Sequence, residues 1–346
     1  MNNTASSIAT RTSPLQLEYC SSDEVASQPG SWWQGVLGVV GFAKPPGLDR
    51  VRIPVAASMI PSLCGGDVCE VWRVADPDIQ LISGSSQARV HYRYSDDLLF
   101  GSLSLAERSI DAGSEAAALL RATEIAYQEV FDVLSKTGHP HLVRIWNYLP
   151  QINAQSDGDE RYRHFNSARQ TAFRKSGRAI MGTVPAACAL GSPAGSPLCI
   201  YFLAARRPPK MIENPRQTSA YHYPPKFGRH SPIFSRACVW GESSSSKLFV
   251  SGTASIVGHE TIHRGDVIAQ TRETLVNISA LLAEANRMVA SARYSLNDLQ
   301  LKVYVRRPAD LSAIKATLSS RTAAAAVYVN ADICREDLLV EIEAVG

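Results

Sequence analysis

Several function classes are excluded by what this chain does not contain. It has no CxxC pair, and its seven cysteines (Cys20, Cys64, Cys69, Cys188, Cys199, Cys238, Cys334) form an odd set with no regular histidine spacing. That argues against a disulfide framework and against structural zinc, so no metal is expected and a reducing, cytoplasmic setting fits best. Neither a glycine-rich phosphate loop, nor an HExxH helix, nor a nucleophile elbow occurs, which leaves nucleotide-binding, metallopeptidase and serine-hydrolase chemistry without support. Charge of one sign is also missing: 35 Lys and Arg stand against 32 Asp and Glu, a net +3. The basic residues are scattered, so no nucleic-acid partner is expected, while a small anionic ligand remains compatible. The longest apolar run, Gly35–Ala43, is far short of the roughly 20 residues of a membrane span. The polar start MNNTASSIATRTS has no basic region followed by an apolar core, so neither export nor a membrane partner is expected.

With 346 residues and 45% hydrophobic content, the chain has room for about two globular domains. Residues 1–30 are rich in Ser, Thr, Asn and Ala without sustained periodicity and read as a flexible tail. A first α+β domain is expected over 31–207. Short β-branched runs up to about Leu103 are followed by a helix near Glu115–Lys136, with Ser114 as N-cap and Gly138 just past the end. A strand at His141–Leu149, a helix at Glu160–Lys175 and a strand at Leu198–Ala205 complete it. Residues 208–235, rich in proline and tyrosine, read as an extended connection that serves as a lid or pocket wall. From 236 to 346 the order recurs: strand Lys247–Val257, helix Asp266–Arg287, strand Leu299–Arg306, helix Leu311–Leu318, and strands Ala325–Val329 and Leu338–Val345. The fold class is therefore α+β, with two similar units side by side. The likeness lies in element order, not in a residue-level repeat.

Alternation along Leu338–Val345 puts Leu338, Val340, Ile342 and Ala344 on one face, and Glu341 and Glu343 with Leu339 and Val345 on the other. Acids in an apolar strand describe either an edge strand with carboxylates in water or a desolvated carboxyl that keeps its proton near neutral pH, as a general acid must. On the helix Glu160–Lys175, Tyr162, Asn166, Arg169 and Phe173 share one face, which is either a carboxylate site or a solvated surface. On Leu299–Arg306, Lys302, Tyr304 and Arg306 share a face, either a polar exterior or the wall of a cleft. Arginine's planar fork suits a bidentate grip on a carboxylate. Tyr201 lies in an apolar strand where its hydroxyl needs a partner. Tyr223 and Arg236 flank the proline-rich connection, and Gly252 inside SGTAS permits either a bend or a ligand against the backbone. Cys334 is either a small buried hydrophobe or a reactive thiol.

The segments LFVSGTASI, LKVYVRRP and CREDLLVEIEAV, in that order, together with RYRHFNSARQTAF, ENPRQTSAYHYPP and FSRACVWG, resemble the chorismatase family over most of residues 140–346. Its C-terminal half is similar to the RidA/YjgF fold, itself chorismate-mutase-like. The resemblance implies cleavage of chorismate, a dianionic enol ether, to pyruvate without metal or organic cofactor. It implies Glu341 as the catalytic acid and then base, with Cys334 beside it. Tyr162, Arg169, Tyr201, Tyr223, Arg236, Gly252, Tyr304 and Arg306 are implied around the substrate, as binding or supporting groups. Gly at 252 and Cys seven residues before the glutamate resemble the type that forms 3-hydroxybenzoate, with 4-hydroxybenzoate as a further product in some members. The hydrolysing type, which yields a dihydroxycyclohexadiene carboxylate, tends to carry Ala at the first position. A RidA-like imine deaminase and a non-catalytic binder of small acids keep the same fold as alternatives. RidA-like units commonly pack as trimers, so a homotrimer or a monomer is implied.

Overall fold

The computed structural model describes residues 15–42, 48, 52–75, 80–86, 89–241, 246–289 and 293–346. Three sheets face one another around a shared core. The largest has seven strands in the order Asp332–Ile333, Ala186–Ser192, His141–Pro150, Leu198–Ala205, Leu98–Leu105, His91–Tyr94, Ile82–Ser85. The second has six, in the order Lys210–Ile212, Ala237–Trp240, Lys247–Thr253, Val340–Val345, Gln300–Val305, Ala325–Asn330. A four-stranded sheet runs Leu15–Ser21, Val68–Val74, Val36–Gly41, Val55–Ala57. Every residue of Leu198–Ala205 is buried, because this strand is covered on both faces, which is why it reads as a continuous apolar run and not as an alternation.

Among the described residues five α-helices cover the outer faces: α1 (Ser22–Ala26), α2 (Glu115–Thr137), α3 (Arg161–Lys175), α4 (Val267–Met288) and α5 (Leu311–Ser319). Their ends follow from local chemistry. The Ser114 hydroxyl accepts from Ala117 N at 3.2 Å, and Gly138 ends α2 in the left-handed region at φ 72°. The Asp266 carboxylate accepts from Ala269 N at 2.9 Å and starts α4. Helices α2 and α3 pack on the seven-stranded sheet through Leu119, Tyr127, Phe165 and Phe173. Helices α4 and α5 pack on the six-stranded sheet through Leu275, Ile278 and Ile314 against Val303, Val340 and Ile342. Between the sheets lies a second core with Trp72, Phe100, Trp146, Tyr201, Phe249 and Tyr304. The result is the expected α+β class with two layered units side by side, the C-terminal one a six-stranded sheet carrying two helices.

Three boundaries differ from the sequence reading. Leu15–Ser21 pairs antiparallel with Val68–Val74 along its whole length, and α1 follows with a capping box between Ser21 and Glu24, so 15–30 is no tail. Residues 1–14 lie outside the described residues. Lys210–Ile212 pairs with Ala237–Trp240, so the proline-rich connection starts as an edge strand, the one place in a sheet where neighbouring prolines are tolerated. Asp332–Ile333 crosses over to pair with Leu190 and Gly191, so the two units exchange a strand.

Leu15 and Leu17 are 1% and 6% exposed. At about 2 kcal/mol for each buried leucine, a chain starting at residue 31 should be less stable by about 4 kcal/mol than one starting at residue 14. Denaturant unfolding of the two chains checks this; coincident transitions would contradict the strand assignment.

Candidate active site

The strand Val340–Val345 is central, flanked by Lys247–Thr253 and Gln300–Val305, so its acids are not in water. Val340, Ile342 and Ala344 point under α4 and α5, while Glu341 and Glu343, 4% and 6% exposed, point toward the seven-stranded sheet. The two carboxyls meet different surroundings. Arg144 donates to Glu343 at 2.6 Å, Trp146 Nε1 at 2.8 Å, and Lys302 Nζ lies 2.7 Å away. Burial by itself drives the Glu343 carboxyl up, but Lys302 and Arg144 outweigh it and hold it below the usual range. Glu341 makes no hydrogen bond to the described residues. Burial first, and the charge of Glu343 second, push it up to about 8, against the opposing pull of Arg144, Arg306 and Arg236. At neutral pH it is a protonated acid.

Glu341 opens into a cavity of about 440 Å³ whose wall includes Tyr162, Tyr223, Arg236, Gly252, Cys334 and Arg335. Gly252 is required by close approach: a Cβ there would overlap Glu341 Oε1, lie 2.8 Å from its Cδ and 3.2 Å from Cys188 Cβ. The absent methyl group is therefore room for the acid itself. Cys334 is pushed up to about 12, chiefly by burial and then by Glu341, so it is a neutral thiol and not a nucleophile. Arg236 donates to Thr218 O at 2.6 Å and to the Tyr223 hydroxyl at 2.7 Å, with Phe234 beneath it. Arg335 donates to His259 O at 2.9 Å and stacks 4.1 Å from the Phe227 ring. Arg236 Nε and Arg335 Nη2 are buried without an acceptor, and among the described residues neither guanidinium has a carboxylate in ion-pair contact. The other cations of the rim are already paired: Arg163 with Asp159 at 3.1 Å, Arg264 with Asp337 at 3.1 Å, and Lys226 with Glu260.

Four expected site residues do not line this cavity. The face of Gln300–Val305 carrying Lys302 and Tyr304 is neither a polar exterior nor a cleft wall, because the seven-stranded sheet covers it. Tyr304 bonds to the Tyr148 hydroxyl at 2.9 Å, and Tyr201 receives Lys302 Nζ at 2.9 Å. Arg306 donates to Leu338 O at 2.7 Å, Ile333 O at 2.8 Å and Arg335 O at 2.9 Å. It clamps the loop that carries Cys334 and Arg335. Arg169 is buried against the rings of Tyr127 and Phe173, at 5.4 and 5.6 Å, with Nε and Nη2 unpartnered. Sequence reasoning missed Arg335, Cys188 and the role of Arg144. Arg335 had one available signal, its place beside Cys334 on the loop entering the acidic strand. Among the described residues no group of three His, Cys, Asp or Glu is placed to hold a metal, and no helix is long and apolar enough to cross a membrane.

At pH 8, iodoacetamide should alkylate the exposed Cys64 and leave Cys334 unmodified, because only the thiolate reacts. Peptide mapping reads this; faster labelling of Cys334 would contradict the neutral thiol.

Residues 70–204 match the family description chorismatase FkbO/Hyg5-like, N-terminal. A chorismatase of Streptomyces rapamycinicus is 35% identical over 96% of this chain and 99% of its own length. A 3-hydroxybenzoate synthase of Streptomyces hygroscopicus is 40% identical over 65% of this chain and 68% of its own. The crystal structure of a chorismatase superposes with a TM-score of 0.82 at 31% identity, covering 96% of this chain and 98% of that one. The segments expected to carry the likeness thus belong to an alignment spanning nearly the whole protein, and the chain is a member of the chorismatase family of enzymes.

Proposed function

We propose that the protein cleaves chorismate to pyruvate and 3-hydroxybenzoate, with Glu341 as the proton donor. The observation that carries this reading is one cavity holding a buried, protonated carboxyl together with Arg236 and Arg335, two guanidinium groups without ion-pair partners. Chorismate presents the complementary features, two carboxylates and an enol ether. The arginines take the carboxylates, and the Tyr162 and Tyr223 hydroxyls, both on the cavity wall, add hydrogen bonds. Arg169, with its unpartnered nitrogens beneath α3, adds positive potential from behind.

Glu341 gives its proton to the methylene carbon of the enolpyruvyl group, which places positive character on the ether oxygen and its carbon. The bond from that oxygen to the ring then breaks, its electron pair going to oxygen, and pyruvate leaves. The neighbouring ring hydroxyl oxygen, keeping its proton, bonds to the carbon left deficient, and its original carbon–oxygen bond then breaks with the pair staying on oxygen, so that the hydroxyl ends on the former ether carbon and the positive charge on the carbon it left. Loss of a ring proton to the Glu341 carboxylate restores the acid and aromatises the ring. No water is consumed, whereas hydrolysis adds one. The space left by Gly252 lets the carboxyl withdraw beside Cys188, which supports the intramolecular route over attack by water. The surrounding thiols of Cys188 and Cys334 are both held neutral by burial and compete poorly as proton donors. An odd set of seven cysteines without regular spacing suits a reducing cytoplasm.

Incubation with chorismate and chromatographic resolution of products should give pyruvate and 3-hydroxybenzoate in equal amounts. Absence of both would contradict the reading, 4-hydroxybenzoate would mark a mixed enzyme, and the dihydroxycyclohexadiene carboxylate would mark a hydrolase. Glu341→Gln should lower kcat by about 10²–10⁴-fold. Because the acid form is active and its pKa is raised to about 8, kcat/KM should be flat below that pH and fall tenfold per unit above it. Gly252→Ala should displace the carboxyl and shift products toward the hydrolytic diene acid; an unchanged product ratio would show that Gly252 does not act through Glu341.

A further inference from the structure

Glu343 is two residues from Glu341 on the same face of the strand, about 7 Å along it, and it does not line the cavity. Its surroundings are unusual for a carboxylate this deeply buried. Glu343 Oε2 accepts from Arg144 at 2.6 Å, and Oε1 accepts from Trp146 Nε1 at 2.8 Å and faces Lys302 Nζ at 2.7 Å. Lys302, fully buried, is shared with Glu70, whose Oε2 also accepts from the Tyr201 hydroxyl at 3.2 Å. Arg144 and Trp146 belong to His141–Pro150, Tyr201 to Leu198–Ala205, and Glu70 to Val68–Val74. The network therefore holds Glu343 from three sheets at once. A carboxylate so restrained has little freedom with which to relax its field, and Glu341, two residues along the same face, has no hydrogen-bond partner among the described residues.

Resting on the reading of Glu341 as the proton donor, we infer that Glu343 is a positioning residue: a fixed anion, clamped by Arg144, Lys302 and Trp146, that keeps the proton on its neighbour Glu341. Elements on every side of Glu341 bring other groups. Tyr304 is its register partner on the adjacent strand, and Cys188 lies across from it on the seven-stranded sheet. Tyr162 faces it from α3, and Cys334 and Arg335 come from the loop before the strand. The tyrosines and thiols are neutral at working pH, all raised by burial first. That leaves cations, namely Arg144, Arg236, Arg306 and Arg335, on one side of the balance. Against them, Glu160, Glu336 and Asp337 stand elsewhere on the cavity wall, and Glu343 is the anion that pushes the Glu341 carboxyl up most, so removing it and removing Arg144 act on the Glu341 proton in opposite directions.

The test is the pH profile of kcat/KM for chorismate cleavage in the wild type, Glu343→Gln, Glu343→Asp and Arg144→Met. Glu343→Gln should move the alkaline limb to lower pH by about one unit or more, a loss of roughly fivefold or more at pH 8 that grows toward tenfold at higher pH and narrows toward pH 6. Glu343→Asp, keeping the anion, should restore the limb. Arg144→Met leaves Glu343 paired with Lys302 and should move the limb to higher pH, and it carries the test alone if Glu343→Gln does not fold. A merely structural role lowers activity by one factor at every pH; limbs that stay in place in all folded variants would overturn the inference. If the wild type has no alkaline limb, or Glu341→Gln retains full activity, the reading of Glu341 fails instead.

Discussion

A single buried ammonium, Lys302, lies between two carboxylates that come from different sheets, Glu70 and Glu343, and the fold closes around that contact. Burial works against the lysine's charge, and the two acids outweigh it. A pair of ions taken out of water gains little stability over a packed apolar core, yet removing one partner from such a group costs about 3–5 kcal/mol. The consequence is specificity of assembly. The four-, seven- and six-stranded sheets satisfy their buried charges only in the observed arrangement, and Trp72, Trp146 and Phe249 fill the remaining space between them.

The same arrangement separates two glutamates that the backbone treats alike. Both are buried on one face of one strand. Glu343 has two cations and an indole N–H within hydrogen-bonding distance and is ionised. Glu341 has no such partner and looks into a cavity beside a glycine, so desolvation decides its state. An ionised carboxylate is acceptor-only, whereas a protonated one can donate, and the difference turns on which neighbours each carboxyl finds across the sheet interface. Arg306 adds a mechanical link: by gathering three carbonyls of the loop ahead of the strand, it fixes Cys334 and Arg335 relative to Glu341.

Much of this was legible in the sequence because it is local. Caps at Ser114 and Asp266, the glycine after α2, the apolar stripe of each helix and the two-residue alternation of the last strand all depend on near neighbours. Family resemblance singled out Glu341, Cys334, Tyr162, Tyr223, Arg236 and Gly252, and the cavity brings these together. Alternation puts Tyr304 and Arg306 on one face and Tyr201 in an apolar strand, but neither pattern tells whether the surface opposite is ligand, water or a second sheet. Here it is a second sheet for the tyrosines and a carbonyl-lined loop for the arginine. Lys302 looked like one more polar exterior residue, since nothing local announces partners at Glu70 and Glu343. Leu15–Ser21 was read as tail because only its pairing partner, more than forty residues away, reveals it as a strand.

The central claim is that Glu341 holds a proton at neutral pH while Glu343 does not. Carboxyl-¹³C-glutamate NMR of the whole protein, with the Glu341 signal identified by its loss in Glu341→Gln, measures this without substrate. The Glu341 resonance should titrate with a midpoint of about 8, while the Glu343 carboxyl, held by Lys302 and Arg144, should titrate below the ordinary carboxylate range. A Glu341 midpoint in the ordinary carboxylate range would contradict it.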